Sequence, residues 1–324
     1  EWITFSPGIV PAISIAVNTF THPGDKVIVQ TPIYPPFQSV VEKSGRTRID
    51  NELMFLDGRY YMDIDKLEEQ ISLKDLSYTN NTTNENRDFD DRVKLLLLWN
   101  PHNPSGRVWT KEELLRIGEI CLKNNIIIVS DEIHSDIIYK GHKHIPIASL
   151  SKELEQNTIT CIAPSKTFSL AGLSTSAIII PNKEIRSMFN NTLGTLEVDG
   201  GNIFGTIALE AAYNHGEEWL EELLTYLEGN LDYLMKYFED RIPRIKPVRP
   251  DASYLIWLDC SELGLEGKEL VDFFVNEAKV GVNPGFKFGE SGRTFVRLNI
   301  GCPRSTLEEG LRRIEEAVKK FSEK

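Results

Sequence analysis

Short runs of Val, Ile and Leu recur through the first part of the chain, at 26–30 (KVIVQ), 94–99 (KLLLLW), 126–131 (IIIVSD), 158–163 (TITCIA) and 177–180 (AIII). Each is bounded by turn residues. Runs this short and this continuously apolar fit strands covered on both faces, which is the situation of a parallel sheet. Helical patterns fill the gaps between them. Thr110-Lys-Glu-Glu113 is a capping box, in which the Thr hydroxyl takes an orphan N–H and the Glu reaches back. Leu114, Ile117 and Cys121 follow it at helical spacing. Strands alternating with helices predict an α/β fold with a mainly parallel central sheet.

The pattern changes further on. Residues 204–238 read as one long, mostly helical stretch. After it come a strand at 253–258 (SYLIWL), a helix at 268–279, a strand at 294–299 (TFVRLN) and a closing helix. Ser305-x-x-Glu308 looks like a second capping box opening that helix, and Leu311, Ile314, Val318 and Phe321 form its apolar stripe. The expected division is a large α/β domain over 1–205, a helical region over 206–240 and a smaller α+β domain over 241–324. Residues 77–92 are polar and almost free of aliphatic side chains, so a solvated surface insertion is expected there. There is no internal repeat. The chain starts Glu1-Trp2-Ile3, without Met, and reads as running straight into a helix, so a missing N-terminal segment is expected.

Composition narrows the function classes. The 324 residues carry 36 Lys and Arg against 48 Asp and Glu, a net charge of −12. That balance argues against a dedicated nucleic-acid binder, which needs a concentrated basic face. No apolar run approaches a membrane span, and no signal peptide is visible. Cys121, Cys161, Cys260 and Cys302 form no CxxC pair. They read as buried reduced thiols in a cytoplasmic protein rather than a disulfide or zinc framework. The sequons at Asn80, Asn81 and Asn190 then carry no meaning.

The chemistry-bearing residues sit where the apolar runs end. Ser6-Pro7-Gly8-Ile9-Val10 is a glycine turn into a helical pattern, which offers free N–H groups and the positive dipole end to an anion. Thr31-Pro-Ile-Tyr34-Pro-Pro-Phe37 follows the run at 26–30, placing an aromatic where it can lie against a planar ligand. Asn100-Pro-His102-Asn103-Pro104-Ser105-Gly106 follows the run at 94–99. Its two Asn-Pro units force extended backbone and aim an Asn side chain, while His102 reads as positional rather than catalytic. Asp131, in Ser130-Asp131-Glu132-Ile133-His134, ends a buried run, where a carboxylate is costly unless it meets a cation. Lys166, in Ala163-Pro-Ser165-Lys166-Thr-Phe168, follows the run at 158–163. An amine in an apolar setting is a nucleophile. Taken singly, each segment has an ordinary structural explanation: a turn, a buried Tyr at a Pro-rich corner, an N-capping Asp, a surface Lys.

In this order and spacing, SPG, PIYPPF, NPHNPSG, SDEIH, APSKTF and FVRLN resemble the class I/II aminotransferase superfamily, the pyridoxal-phosphate (PLP) enzymes of fold type I. The resemblance runs from Ser6 to Arg304. The wording NPHNPSGRVW, DEIHSD and APSKTF is most similar to the cystathionine β-lyase (cysteine-S-conjugate β-lyase) branch. The resemblance implies that Lys166 forms a Schiff base with the cofactor and shuttles the Cα proton. It implies that Asp131 keeps the pyridine nitrogen protonated, so that the ring acts as electron sink. Asn103 would bond the ring 3-hydroxyl, with His134 near that oxygen or supporting Asp131. Tyr34 would stack on the ring, and Gly8, Ile9, Val10 and Ser165 would hold the phosphate. Arg297 would clamp the substrate carboxylate with its planar fork. A homodimer is implied as well.

Two departures from the family pattern stand out. Typical aminotransferases carry a phosphate-binding Arg about eight residues after the Lys, which the lyase branch would replace. Here the stretch reads Ala171-Gly-Leu-Ser-Thr-Ser176, so hydroxyls and backbone must serve. Relatives also have a segment ahead of the SPG motif that helps close the substrate pocket. The expected function is C–S β-elimination from cystathionine or a cysteine conjugate. An aminotransferase is the alternative on the same fold, and a binding or regulatory protein is the alternative of a different class.

Overall fold

The apolar runs do become strands, and they lie side by side. The computed structural model describes residues 1–72 and 93–323. Its strands are β1 (Ile3–Ser6), β2 (Lys26–Thr31), β3 (Thr47–Glu52), β4 (Met54–Leu56), β5 (Arg59–Tyr61), β6 (Val93–Trp99), β7 (Ile127–Asp131), β8 (Thr158–Ile162), β9 (Ser176–Ile179), β10 (Lys246–Val248), β11 (Leu255–Asp259), β12 (Asn283–Pro284) and β13 (Phe295–Asn299). Seven of them form one sheet in the order β1-β9-β8-β7-β6-β2-β3. β3, β2, β6, β7 and β8 run parallel, and β9 is antiparallel to both β8 and β1. The parallel strands therefore end at one edge of the sheet, and β1 ends there too.

Alternate residues of these strands feed two separate cores. Val27, Val29, Leu95, Leu97, Val129, Ile159 and Ile178 pack on one face with the helix Ile9–Phe20. Ile28, Leu96, Leu98 and Ile128 pack on the other with the helix Lys111–Lys123. Burial on both faces is why these strands read as unbroken apolar runs. The Thr110/Glu113 capping box forms, with Glu113 N donating to Thr110 Oγ1 at 3.2 Å and Thr110 N to Glu113 Oε2 at 2.8 Å.

The second sheet, β10-β11-β13-β12, is antiparallel throughout. The helices Glu217–Arg241 and Arg304–Ser322 cover it through Leu227, Leu231, Leu234, Phe238, Leu311, Ile314 and Val318. Ile137 and Tyr139, which follow β7 in sequence, also belong to this core.

Several expectations need correction. The chain opens with a strand, β1, before its first helix. The long helical stretch is two helices, Ile203–His215 and Glu217–Arg241, parted at Gly216. A Cβ on Gly216 would lie 2.4 Å from Phe168 Cε1. The helix expected over 268–279 is a short α-helix, Gly267–Asp272, followed by a π-helical turn, Phe273–Glu277. The second capping box does not form, because Pro303 takes the N-cap position and Ser305 lies inside the first turn. A proline with extended ψ ends the preceding chain sharply, and its carbonyl already receives the first helical N–H bonds. The expected insertion at 77–92 lies outside the described residues.

Candidate active site

Neighbouring strand ends bring the singled-out residues together. Along the order β8-β7-β6-β2, the segments leaving the carboxyl edge carry Lys166, Asp131, Asn103 and Tyr34 in turn. In open α/β sheets this edge is where ligands bind. Backbone bonds continue the ladder past the strands: Glu132 N donates to the Cys161 carbonyl at 2.9 Å, and Asn100 N to the Asp131 carbonyl at 3.1 Å. The Thr31–Pro32 and Asn100–Pro101 peptides in these loops are cis.

Asp131 is buried, and its Oδ1 accepts from Ile133 N at 3.0 Å. No cation among the described residues ion-pairs with it. Burial pushes its carboxyl up to about 7, with the Ile133 N–H, the nearby Trp99 indole and Lys166 pulling the other way. The indole lies close, but its Nε1 makes no bond of good geometry. Glu132, one residue on, turns to the opposite face, as strand alternation requires. There it accepts from Ser130 Oγ at 2.9 Å and meets His144 Nε2 at 2.8 Å. Asp131 is thus left with a carboxylate that lacks a counter-charge.

His134 is also buried, and its imidazole is pulled down to about 3 by burial and by the charges of Lys166 and Arg297. The ring is therefore neutral. Lys166 itself stands half-buried on the short helix Pro164–Thr167. The adjoining Thr167 is pinned to Asp136, its Oγ1 donating to Oδ2 at 2.7 Å. The His102 Nδ1 meets Ser105 Oγ at 2.8 Å and burial takes its pKa down to about 4, so within its loop it acts as a brace.

Arg297 reaches in from β13 of the other sheet. Its Nη1 donates to Asn103 Oδ1 at 2.7 Å, and its Nη2 and Nε to Asn283 Oδ1 at 2.9 and 3.3 Å. The guanidinium carbon lies 4.9 Å from the Phe288 ring centre and 5.7 Å from that of Tyr34. No carboxylate among the described residues pairs with it, although the side chain is 9% exposed. A buried guanidinium held only by amide oxygens and ring faces is a receptor for an anion.

Gly8 caps the helix Ile9–Phe20 at φ 123, a backbone setting that favours glycine. This helix has neither a side-chain cap nor an acidic residue in its first turn. The N–H groups of Ile9 and Val10 are therefore free for an anion. Ser176 Oγ donates to the Ser6 carbonyl at 2.9 Å, which ties this turn to β9 at the same sheet edge as Ser165. PLP fits the donor set: an uncapped helix start for its phosphate, a lone buried carboxylate for its ring nitrogen, an aromatic for its ring face and a lysine for its aldehyde.

Sequence reading missed the partners that hold these groups. Asn283, which orients Arg297, stands in a third Asn-Pro unit, Val282-Asn283-Pro284, and that repeat was a usable signal. Ser253 and Tyr254 contact His134, the first through Nδ1 at 3.2 Å and the second edge-on at 6.0 Å between ring centres. Nothing in their local sequence marks them.

Comparison with known proteins agrees with this geometry. Residues 1–314 match the family model for aminotransferase class I and II. The chain belongs to that family. It is 47% identical over 318 residues to the cystathionine beta-lyase PatB of Bacillus subtilis, covering 98% of this chain and 78% of that one. Among solved structures it superposes on cystalysin from Treponema denticola, which contains a pyridoxal 5'-phosphate cofactor. The TM-score is 0.91 and the identity 36%, over 98% of this chain and 77% of the other. The PLP-bound C–S lyase of Staphylococcus hominis aligns with a TM-score of 0.86 and 31% identity, over 98% and 76%.

Proposed function

We propose that the protein is a PLP-dependent carbon–sulfur β-lyase that converts cystathionine or a cysteine S-conjugate to pyruvate, ammonia and a thiol. One observation carries the reading: Lys166, Asp131 and Asn103 lie on adjacent strand ends facing an unpaired Arg297, in a chain closely similar to a cystathionine β-lyase. When bound, PLP supplies an electron sink conjugated to the substrate Cα. Arg297 grips the α-carboxylate and orients the Cα–H bond. Lys166 anchors the cofactor and then takes the Cα proton. The electron pair of that bond becomes the Cα–Cβ double bond as sulfur departs with the Cβ–S pair and picks up a proton. The three-carbon product hydrolyses to pyruvate and ammonia. Asp131 would hold the proton on the ring nitrogen, Asn103 and His134 would serve the ring oxygen, and Tyr34 would support the ring face. Gly8, Ile9, Val10 and Ser165 would hold the phosphate.

The same first proton transfer serves transamination, so the acceptor decides. The test is release of pyruvate and thiol from cystathionine by the cofactor-loaded protein without any keto acid. Activity that appears only when a keto acid is added would make it an aminotransferase. Cofactor binding without turnover would make it a regulatory protein.

The division at 1–205, 206–240 and 241–324 is supported by the two sheets, drawn from residues 3–179 and 246–299. A homodimer is supported by the helix Ile203–His215, whose only buried residue is Gly205. Ile203, Phe204 and Ile207 on it are 76%, 78% and 60% exposed. A helix this apolar is normally covered, and a second copy is the proposed cover. Among the described residues no helix is long and apolar enough to cross a membrane. Cytoplasmic residence is supported by the four cysteines, all free and three of them buried.

A further inference from the structure

The segment carrying His134 is stitched to the chain that leads into β11. Ser253 N donates to the Ile137 carbonyl at 2.8 Å, and Tyr139 N to the Asp251 carbonyl at 3.0 Å. Ile138 and Ala252 form an antiparallel bridge between them. In this setting Ser253 adopts φ 73, a left-handed conformation that a side chain rarely takes. Such backbone persists where surrounding contacts impose it, and it clusters at functional sites. Here it delivers the Ser253 hydroxyl to within 3.2 Å of His134 Nδ1, with both side chains buried. Tyr254, next in the chain, sets its ring at 75° to the imidazole. The imidazole is clamped from two sides by consecutive residues.

The Ser253–His134 bond has two possible directions, and only one satisfies both the buried hydroxyl and Nδ1. If Nδ1 carried the proton, Ser253 would accept, and its own buried hydroxyl proton would have no acceptor among the described residues. If Ser253 donates, both groups are satisfied and the ring proton sits on Nε2. That nitrogen bonds no described residue, so its proton is free to meet an acceptor in the cavity. The imidazole is neutral for the reasons already given, so a single tautomer matters.

We propose that Ser253 is a positioning residue for His134, fixing its imidazole as the Nε2–H tautomer so that it offers the reacting centre beside Lys166 a hydrogen-bond donor rather than a base. This rests on the cavity being the PLP site, where the acceptor is an anionic cofactor oxygen.

The test is nitrogen NMR of the cofactor-loaded protein labelled at histidine, with the His134 signals assigned by their loss in His134→Gln. The wild-type ring should show a protonated Nε2 and a bare Nδ1. In Ser253→Ala and Ser253→Gly the two signals should converge toward a tautomer mixture. Glycine takes φ 73 without strain, so Ser253→Gly keeps the backbone while removing the hydroxyl. A merely structural serine predicts an unchanged ring signature in that variant. Both variants should also lose about tenfold in kcat, with KM for cystathionine unchanged. A wild-type ring protonated at Nδ1, or a ring signature preserved in Ser253→Gly, overturns the assignment. A wild-type protein that makes no pyruvate but shows the Nε2–H ring sinks the lyase reading and leaves the Ser253 assignment standing.

Discussion

Arg297 Nη1 and Asn103 Oδ1 meet at 2.7 Å, although the two residues are 194 positions apart, Asn103 in the turn that follows β6 of the larger sheet and Arg297 within β13 of the smaller one. The contact uses the amide oxygen of Asn103, which leaves its NH2 to donate into the cavity. It uses one arm of the guanidinium and leaves the positive charge without a counter-ion. The pair is therefore arranged for a ligand that brings both an acceptor and an anion.

Replacing Arg297 should weaken the binding of substrate. Arg297→Ala removes the proposed charge-assisted bonds to the substrate carboxylate, and KM for cystathionine should rise about 10- to 100-fold. Arg297→Lys should recover only part of this, since a point charge cannot reproduce the fork. Because Asn103 and Asn283 lose their donor as well, the variant should also be less stable, by about 1–3 kcal/mol, so KM is measured below its melting temperature. A KM left unmoved in Arg297→Ala would place the carboxylate elsewhere.

Lys166→Ala should abolish the covalent link to the cofactor. The visible absorption of the loaded protein should vanish after dialysis, and kcat should fall by about a thousandfold or more. A wild-type spectrum in that variant would mean that another lysine holds the cofactor.

Asp131 should impose a pH dependence on the stability of the cofactor-free protein. Its carboxyl is raised from 3.8 to about 7 in the folded state, chiefly by burial. Between those values the folded chain binds more protons than the unfolded one, so stability falls as pH rises through the window. The loss attributable to this group is at most about 4 kcal/mol. Asp131→Asn should remove it, and the difference between the two urea-unfolding profiles should grow from mild acid to neutrality and then level off. Parallel profiles would show that the carboxyl titrates normally.

Gly106 closes the loop that aims Asn103, at φ 69. A Cβ there would lie 2.3 Å from Pro250 Cβ and 2.7 Å from the Ala252 carbonyl oxygen. Gly106→Ala should destabilise the protein by about 2–4 kcal/mol and lower its melting temperature. It should weaken cofactor retention too, because the displaced segment is the one holding Ser253. An unchanged melting temperature would mean that the loop and the 250–252 segment are not in contact.

Phe204 tests the dimer. Light scattering should give twice the chain mass for the wild type, and Phe204→Glu should shift the population toward monomer. A wild-type monomer that turns over cystathionine would remove the helix Ile203–His215 from consideration as an interface.

The parts of this fold that could be read from sequence were those whose burial is symmetric. β2, β6, β7 and β8 are covered on both faces, so each carries a run of apolar residues and its ends are easy to place. β3 (TRIDNE) is an edge strand with mostly polar side chains, and it has no such pattern. The Met54–Leu56 and Arg59–Tyr61 hairpin has strands too short to show a period. Lys166, Asp131, Asn103 and Tyr34 were legible because each follows a recognisable strand, whereas the strand ahead of Gly8, β1, was not legible. Ser253, Tyr254 and Asn283 were not, because their roles arise from contacts with His134 and Arg297 across long stretches of chain. The misread capping box shows the same limit at short range, where the pattern at Ser305 was sound and Pro303 pre-empted it.

The strand ends proposed to hold the cofactor all belong to the seven-stranded sheet, while the guanidinium proposed to hold the amino acid belongs to the four-stranded one. Retention of the prosthetic group and capture of the substrate are thereby assigned to different sheets, but they meet at the Arg297–Asn103 bond and at the Tyr34 ring. A small displacement of β13 against the larger sheet would retune which amino acids are gripped and would be felt at once by Asn103. Substrate range and cofactor alignment are therefore coupled through these contacts, and one cannot drift far without the other.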